Sequence, residues 1–221
     1  MTFWKITWLI IAHTLLSLIL FSGVIMLLVF ILRKPLKKYK KIDLGIFDRL
    51  QTGVSPRRNK WMLLITFLGR AEFLIPANLL LIFFFLFVMK QNWFSIRVLT
   101  IALSSLVLMV LLKKLFHRKR PLHPLLNAAK GLSFPSGHAI MAVTFYGLLL
   151  YISMSFIDTD WLKWVVTMII VLLIILIGFS RVYLRVHYAS DVLAGFIIGV
   201  LWLSISLFML NNLEQLFKQN V

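Results

Sequence analysis

At 221 residues, with 61% hydrophobic content and a mean hydropathy of +0.96, the chain exceeds the roughly 45–50% apolar share of soluble domains and reads as an integral membrane protein. A formal charge of +17 would suit a nucleic-acid binder, but the basic residues lie between apolar runs, so the expected partners are the lipid bilayer and its anionic headgroups, with no nucleic acid. The absence of cysteine excludes disulfides and thiolate metal sites, and the length suits one helical bundle, residues 1–221, as a single domain.

A membrane-crossing helix takes about 20 apolar residues. Six stretches qualify, 6–32, 61–89, 94–112, 137–157, 162–180 and 191–210, so the expected fold is all-α, a polytopic bundle of six transmembrane helices. The stretch 6–32 is too long for a signal-peptide core and stops abruptly at Arg33 and Lys34, which predicts a retained first helix with His13 as a packing histidine. In the basic connection 33–60, Ile42, Ile46, Phe47 and Leu50 fall near one helical face; an interfacial amphipathic helix and a solvated loop both fit. Stretch 61–89 is long enough to require tilt, Pro76 is expected to bend it, and Arg70 with Glu72 reads first as an ion pair or an interfacial position and second as a substrate contact. Trp4, Trp8, Trp61, Trp93, Trp161, Trp164 and Trp202 are expected at the headgroup level.

Six spans put both termini on one side and the connections 33–60, 113–136 and 180–191 on the other. Three polar segments then share one surface. In the first, Lys113 and Arg120 are two cations able to grip the oxygens of one phosphate, and Pro121 makes helix continuation unfavourable. In the second, Pro135-Ser136-Gly137-His138 opens an apolar run: Ser136 is a good N-cap type, Gly137 allows close backbone approach, and a helix start favours an anion. His138 then stands in the first turn as a proton donor. In the third, Arg181 adds a permanent cation, and His187 and Asp191, four apart, are expected on one helical face, the carboxylate orienting the imidazole for attack.

In order and spacing, Lys-x6-Arg-Pro, Pro-Ser-Gly-His and Ser-Arg-x5-His-x3-Asp resemble the signature of the type-2 phosphatidic acid phosphatase superfamily, with every signature position filled. The resemblance implies a lipid phosphatase that uses no metal or other cofactor and hydrolyses lipid phosphate monoesters or diphosphates, such as phosphatidic acid, phosphatidylglycerophosphate or undecaprenyl diphosphate. It implies His187 as the nucleophile forming a phosphohistidine, Asp191 as its orienting partner and His138 as the proton shuttle. Lys113, Arg120, Ser136, Gly137 and Arg181 would bind phosphate. Three cations can supply the neutralisation that metal ions supply elsewhere, and no carboxylate cluster suited to magnesium is visible. A lipid phosphotransferase and a non-catalytic transporter or scaffold are the alternatives.

Around the signature, His117, Arg118, Lys119, His123 and Arg185 read as candidate contacts to a second phosphate or a headgroup. The active-site side carries 18 Lys/Arg, ten of them in 33–60, whereas Lys5, Lys90, Arg97, Lys163 and Lys218 fall on the other. That asymmetry points to the cytoplasm. The resemblance points to the outer face of a bacterial inner membrane, and the extracytoplasmic face is the orientation expected here. No motif selects the lipid or the oligomeric state.

Overall fold

A computed structural model describes residues 23, 27, 40–122, 124–125 and 131–220. The expected span 6–32, apart from positions 23 and 27, lies outside the described residues, as do His13, Trp4, Trp8 and His123. All regular structure among the described residues is helical. Four helical stretches are long and apolar enough to cross a membrane, Pro56–Val88, Asn92–Phe116, Asp160–Tyr183 and Ala189–Gln219, and Gly137–Ser153 is a shorter apolar helix.

Helix α1 (Lys40–Gln51) settles the ambiguity of the basic connection in favour of a helix. It buries Phe47 and leaves Ile42 and Leu44 exposed. Ser55 caps α2 (Pro56–Phe67), its Oγ accepting from the Arg58 N–H at 3.3 Å, and Pro56 takes the first helical position, where no donor is lost. Helix α3 (Ala71–Phe83) runs on as a π-helical stretch over Phe84–Val88. The stretch 61–89 is therefore interrupted, and not at Pro76, through which α3 continues. The chain breaks over 68–70, where Arg70 is extended (φ −88°, ψ 155°) and Gly69 lies so close to Ile177 that an added Cβ would meet it at 2.7 Å. Arg70 and Glu72, beyond the break, form the expected ion pair at 2.6 Å, about half exposed.

Helices α4 (Asn92–Phe116), α6 (Asp160–Tyr183) and α7 (Ala189–Asn220) surround α5 (Gly137–Ser153), which packs against all three. Helix α5 is apolar all round, as a helix without a solvent face must be, and Ala139, Ile140 and Ala142 are fully buried. Leu80, Trp164 and Met168 on the flanking helices stay exposed, which suits a surface that meets lipid rather than water. Helix α7 approaches α5 through Gly195 and Gly199: a Cβ at 195 would meet Ala139 at 2.8 Å and the Ser136 carbonyl at 2.9 Å, and one at 199 would meet Val143 at 2.8 Å. Small residues four apart let two backbones close, which is where apolar helices in lipid gain attraction.

Two expectations are corrected at the far ends. Helix α7 outlasts 210 by ten residues, because Arg97 of α4 binds its polar end, donating to Asn211 Oδ1 at 2.7 Å and to Glu214. Trp202 is no interface marker: it is buried beside α4 and donates Nε1–H to Ser104 Oγ at 3.0 Å.

Candidate active site

The three polar segments converge as their shared surface requires. Lys113, Arg120, Gly137, His138, Arg181 and His187 all line one cavity of about 420 Å³, whose remaining wall is largely apolar, from α3 and α4. Each cation is aimed by a specific contact. Lys113, in the last turn of α4, donates from Nζ to the Leu132 carbonyl at 2.9 Å. His117 closes α4 in the left-handed conformation (φ 47°), which turns the chain toward Arg118 and Arg120. Arg120 Nη1 donates to the Val186 carbonyl at 2.8 Å and lies 3.4 Å from His187 Nε2. Arg181, at the end of α6, donates from Nη1 to Thr66 Oγ1 at 2.7 Å, which ties it to α2.

The helix-start expectation holds in position but not in bonding. Ser136 is the N-cap of α5, yet its side chain makes no cap bond, and its Oγ is buried without a partner. His138 Nε2 and Arg181 Nε are also buried and unpartnered among the described residues. Leaving such atoms unsatisfied is costly in a finished core and sensible in a site that waits for a ligand rich in acceptors. Gly137 both lines the cavity and makes room for Met109, whose sulfur would lie 2.5 Å from an added Cβ.

His187 and Asp191 are close, but not as the helical spacing predicts. Helix α7 begins at Ala189, so His187 lies in the turn before it, and its Nδ1 is 3.8 Å from Asp191 Oδ2. The nearer acceptor is the Ser133 carbonyl, 2.7 Å from Nδ1. A carbonyl only accepts, so Nδ1 carries the hydrogen and Nε2 keeps a lone pair toward the cavity. Asp191 is fully buried and accepts from Ser133 Oγ at 2.5 Å, from Arg118 Nη1 at 2.5 Å and from the Tyr188 N–H at 3.0 Å. The last bond reaches back across the first turn of α7 as a capping-box carboxylate does. Burial pushes the His187 imidazole down to about 4, with the Arg120 and Arg181 charges adding to the effect and Asp191 opposing it. The ring is thus neutral at pH 7, as a nucleophile requires.

Arg118 is corrected from a candidate headgroup contact to a structural bridge: it binds Asp43 at 2.8 Å as well as Asp191, and lies 4.2 Å over the Tyr188 ring. Arg185 likewise turns to α1, donating to the Phe47 carbonyl at 3.4 Å. Asp43, Thr66 and Ser133 are the residues that motif reading passes over. The available signal is a pair of carboxylates, Asp43 and Asp48, amid the ten cations of 33–60.

A family model described as the PAP2 superfamily matches residues 93–214. Phosphatidylglycerophosphatase B of Bacillus subtilis (strain 168) is 33% identical over 150 residues, covering 66% of this chain and 72% of that protein. Among solved structures, a transmembrane PAP2-type phosphatidylglycerolphosphate phosphatase from Bacillus subtilis matches with a TM-score of 0.70 and 27% identity, over 93% of this chain and 95% of that one. LpxE of Aquifex aeolicus matches with a TM-score of 0.55 and 29% identity, over 74% of this chain and 93% of its own.

Proposed function

This chain belongs to the PAP2 superfamily and is a membrane lipid phosphatase, and from that premise we propose that it hydrolyses a lipid phosphate monoester, phosphatidylglycerophosphate first among candidates, through a phosphohistidine on His187. The observation that carries the reading is the neutral, buried His187, its Nδ1 tied to Ser133 and its Nε2 beside Arg120 in a cavity that Lys113 and Arg181 also line. Phosphatidylglycerophosphate takes first place because two similar bacterial proteins carry that substrate in their names.

In the proposed reaction the phosphate enters with its non-bridging oxygens among Lys113, Arg120 and Arg181. Charge grows there as the ester bond lengthens, and fixed cations in a water-poor site stabilise it. The bound phosphate dianion favours the imidazolium form of His138. His187 Nε2 forms the new bond to phosphorus as the ester bond breaks, and the alkoxide leaves with the proton from that imidazolium. His138, now neutral, takes a proton from water, whose oxygen attacks phosphorus and releases His187 and inorganic phosphate. Asp191 acts behind the ring, holding Ser133 and offsetting the imidazolium charge. Ser136 and Gly137 border the phosphate at the start of α5. The apolar wall from Leu74 to Ile82 and from Leu99 to Leu106 suits the acyl chains.

The wider setting belongs to the same proposal: one integral-membrane domain with six spans, the first formed by 6–32, in a bacterial inner membrane with the site on the extracytoplasmic face. The decisive experiment uses purified protein in detergent with phosphatidylglycerophosphate and EDTA. Phosphate release is expected, acid quenching should trap label on His187, and His187→Ala should do neither. Full turnover by His187→Ala would overturn the mechanism.

A further inference from the structure

Neither Arg118 nor Asp43 lines the phosphate cavity, yet they are among the most heavily bonded polar residues beside it. The Asp43 and Asp191 side chains are 2% and 0% exposed and share one guanidinium. A buried carboxylate needs a partner, and here one arginine serves two. Its Nη1 donates to Asp191 Oδ1 at 2.5 Å and to Ser190 Oγ at 2.7 Å, and its Nη2 to Asp43 Oδ2 at 2.8 Å. Asp43 closes the ring from the other side, accepting from the Ser190 N–H at 3.0 Å and from Ser190 Oγ–H at 2.6 Å. Beneath the guanidinium lies Tyr188, and Phe47 of α1 stacks on Tyr188 at 5.8 Å.

The bonds form a continuous line from the surface helix to the reacting nitrogen. Asp43 holds Arg118, Arg118 holds Asp191, Asp191 accepts from Ser133 Oγ at 2.5 Å, and the Ser133 carbonyl holds His187 Nδ1 at 2.7 Å. The Ser133 backbone is pinned from the same origin, its N–H donating to the Arg118 carbonyl at 2.7 Å. We infer that Arg118 and Asp43 are positioning residues for the phosphatase reaction, and that the amphipathic helix α1 sets the aim of His187 through them.

The inference rests on His187 being the nucleophile, and its test separates the two ideas. Asp43→Asn and Arg118→Gln are assayed with phosphatidylglycerophosphate in mixed micelles beside the unaltered protein and His187→Ala. Displacing a reacting group by about 1 Å costs on the order of 100-fold in rate. We expect kcat about tenfold lower for Asp43→Asn and about 100-fold lower for Arg118→Gln, with KM within about twofold in both. Arg118→Lys keeps the charge without the fork and should fall between Arg118→Gln and the unaltered protein. The double variant should be no slower than Arg118→Gln, because residues in one line are not additive. Unchanged kcat in Asp43→Asn, a rise in KM alone, or additive losses would overturn the inference. Should either variant fail to elute as a folded species, Ser190→Ala removes one shared hydroxyl and should lower kcat about threefold at unchanged KM; an unaltered kcat there would count equally against it. Full turnover in His187→Ala would instead count against the nucleophile assignment.

Discussion

At the residue scale, His187 shows how one side chain can be named by a motif and placed by something the motif omits. Its identity as a candidate nucleophile was legible from Ser-Arg-x5-His-x3-Asp. Its partner was not, because the four-residue spacing presumes a helix and α7 starts only at Ala189. The Ser133 carbonyl that fixes the tautomer is a backbone group, which no side-chain pattern can announce. Burial lowers the folded-state value to about 4 against 6.5, so between those values the unfolded chain binds a proton that the folded chain does not. Stability from this group is complete above pH 6.5 and is lost as pH falls toward 4, by at most ~3 kcal/mol. Thermal unfolding in detergent at pH 7, 6, 5 and 4.5 should show the decline, and His187→Gln should flatten part of it. A second residue-scale expectation concerns Trp202. Trp202→Phe loses the bond to Ser104 and part of the indole's packing, and should cost about 1–3 kcal/mol, read as a lower Tm with unchanged activity.

At the element scale, periodicity and length revealed the helices because lipid demands them: an apolar stretch long enough to cross must bond its own backbone. What stayed hidden were the interruptions. The turn at Leu68–Arg70 and the docking of α1 both answer to tertiary neighbours, Ile177 and His138 at Gly69 and Tyr188 at Phe47. The α5–α7 contact was equally hidden, since Gly195 and Gly199 matter only once Ala139, Val143 and the Ser136 carbonyl are known to face them. That contact yields two graded outcomes. Gly199→Ala forces a Cβ against Val143, at 2.8 Å before relaxation, and should destabilise by about 1–3 kcal/mol with activity kept below the unfolding temperature. Gly195→Ala meets the Ser136 carbonyl itself at 2.9 Å, so it should also displace the start of α5 and lower kcat. Measuring Tm and kcat for both variants separates packing from site geometry. Equal activity losses in the two would contradict the assignment.

At the scale of the whole molecule, the direction in which the bundle faces is bound up with a charge count that the structure refines. Of the 18 cations on the active-site side, Lys113, Arg120 and Arg181 line the candidate-site cavity and Arg118 is bound between two carboxylates, which leaves 14 as a topological signal. On the far side Arg97 is bound to Asn211 and Glu214, leaving 5 − 1 = 4. The asymmetry survives the correction and still favours a cytoplasmic site by the positive-inside rule. Against it stands the resemblance that places such sites outside. The two orientations differ in one accessible observable, because the chain has no cysteine of its own. Gln51 ends α1 beside the site, Gln91 precedes α4 at the other end of the bundle, and both are exposed. In intact cells a membrane-impermeant maleimide should label Gln51→Cys, while Gln91→Cys should react only after lysis. The reverse pattern would put the phosphate cavity in the cytoplasm, where the basic 33–60 connection and α1 would lie on the inner leaflet.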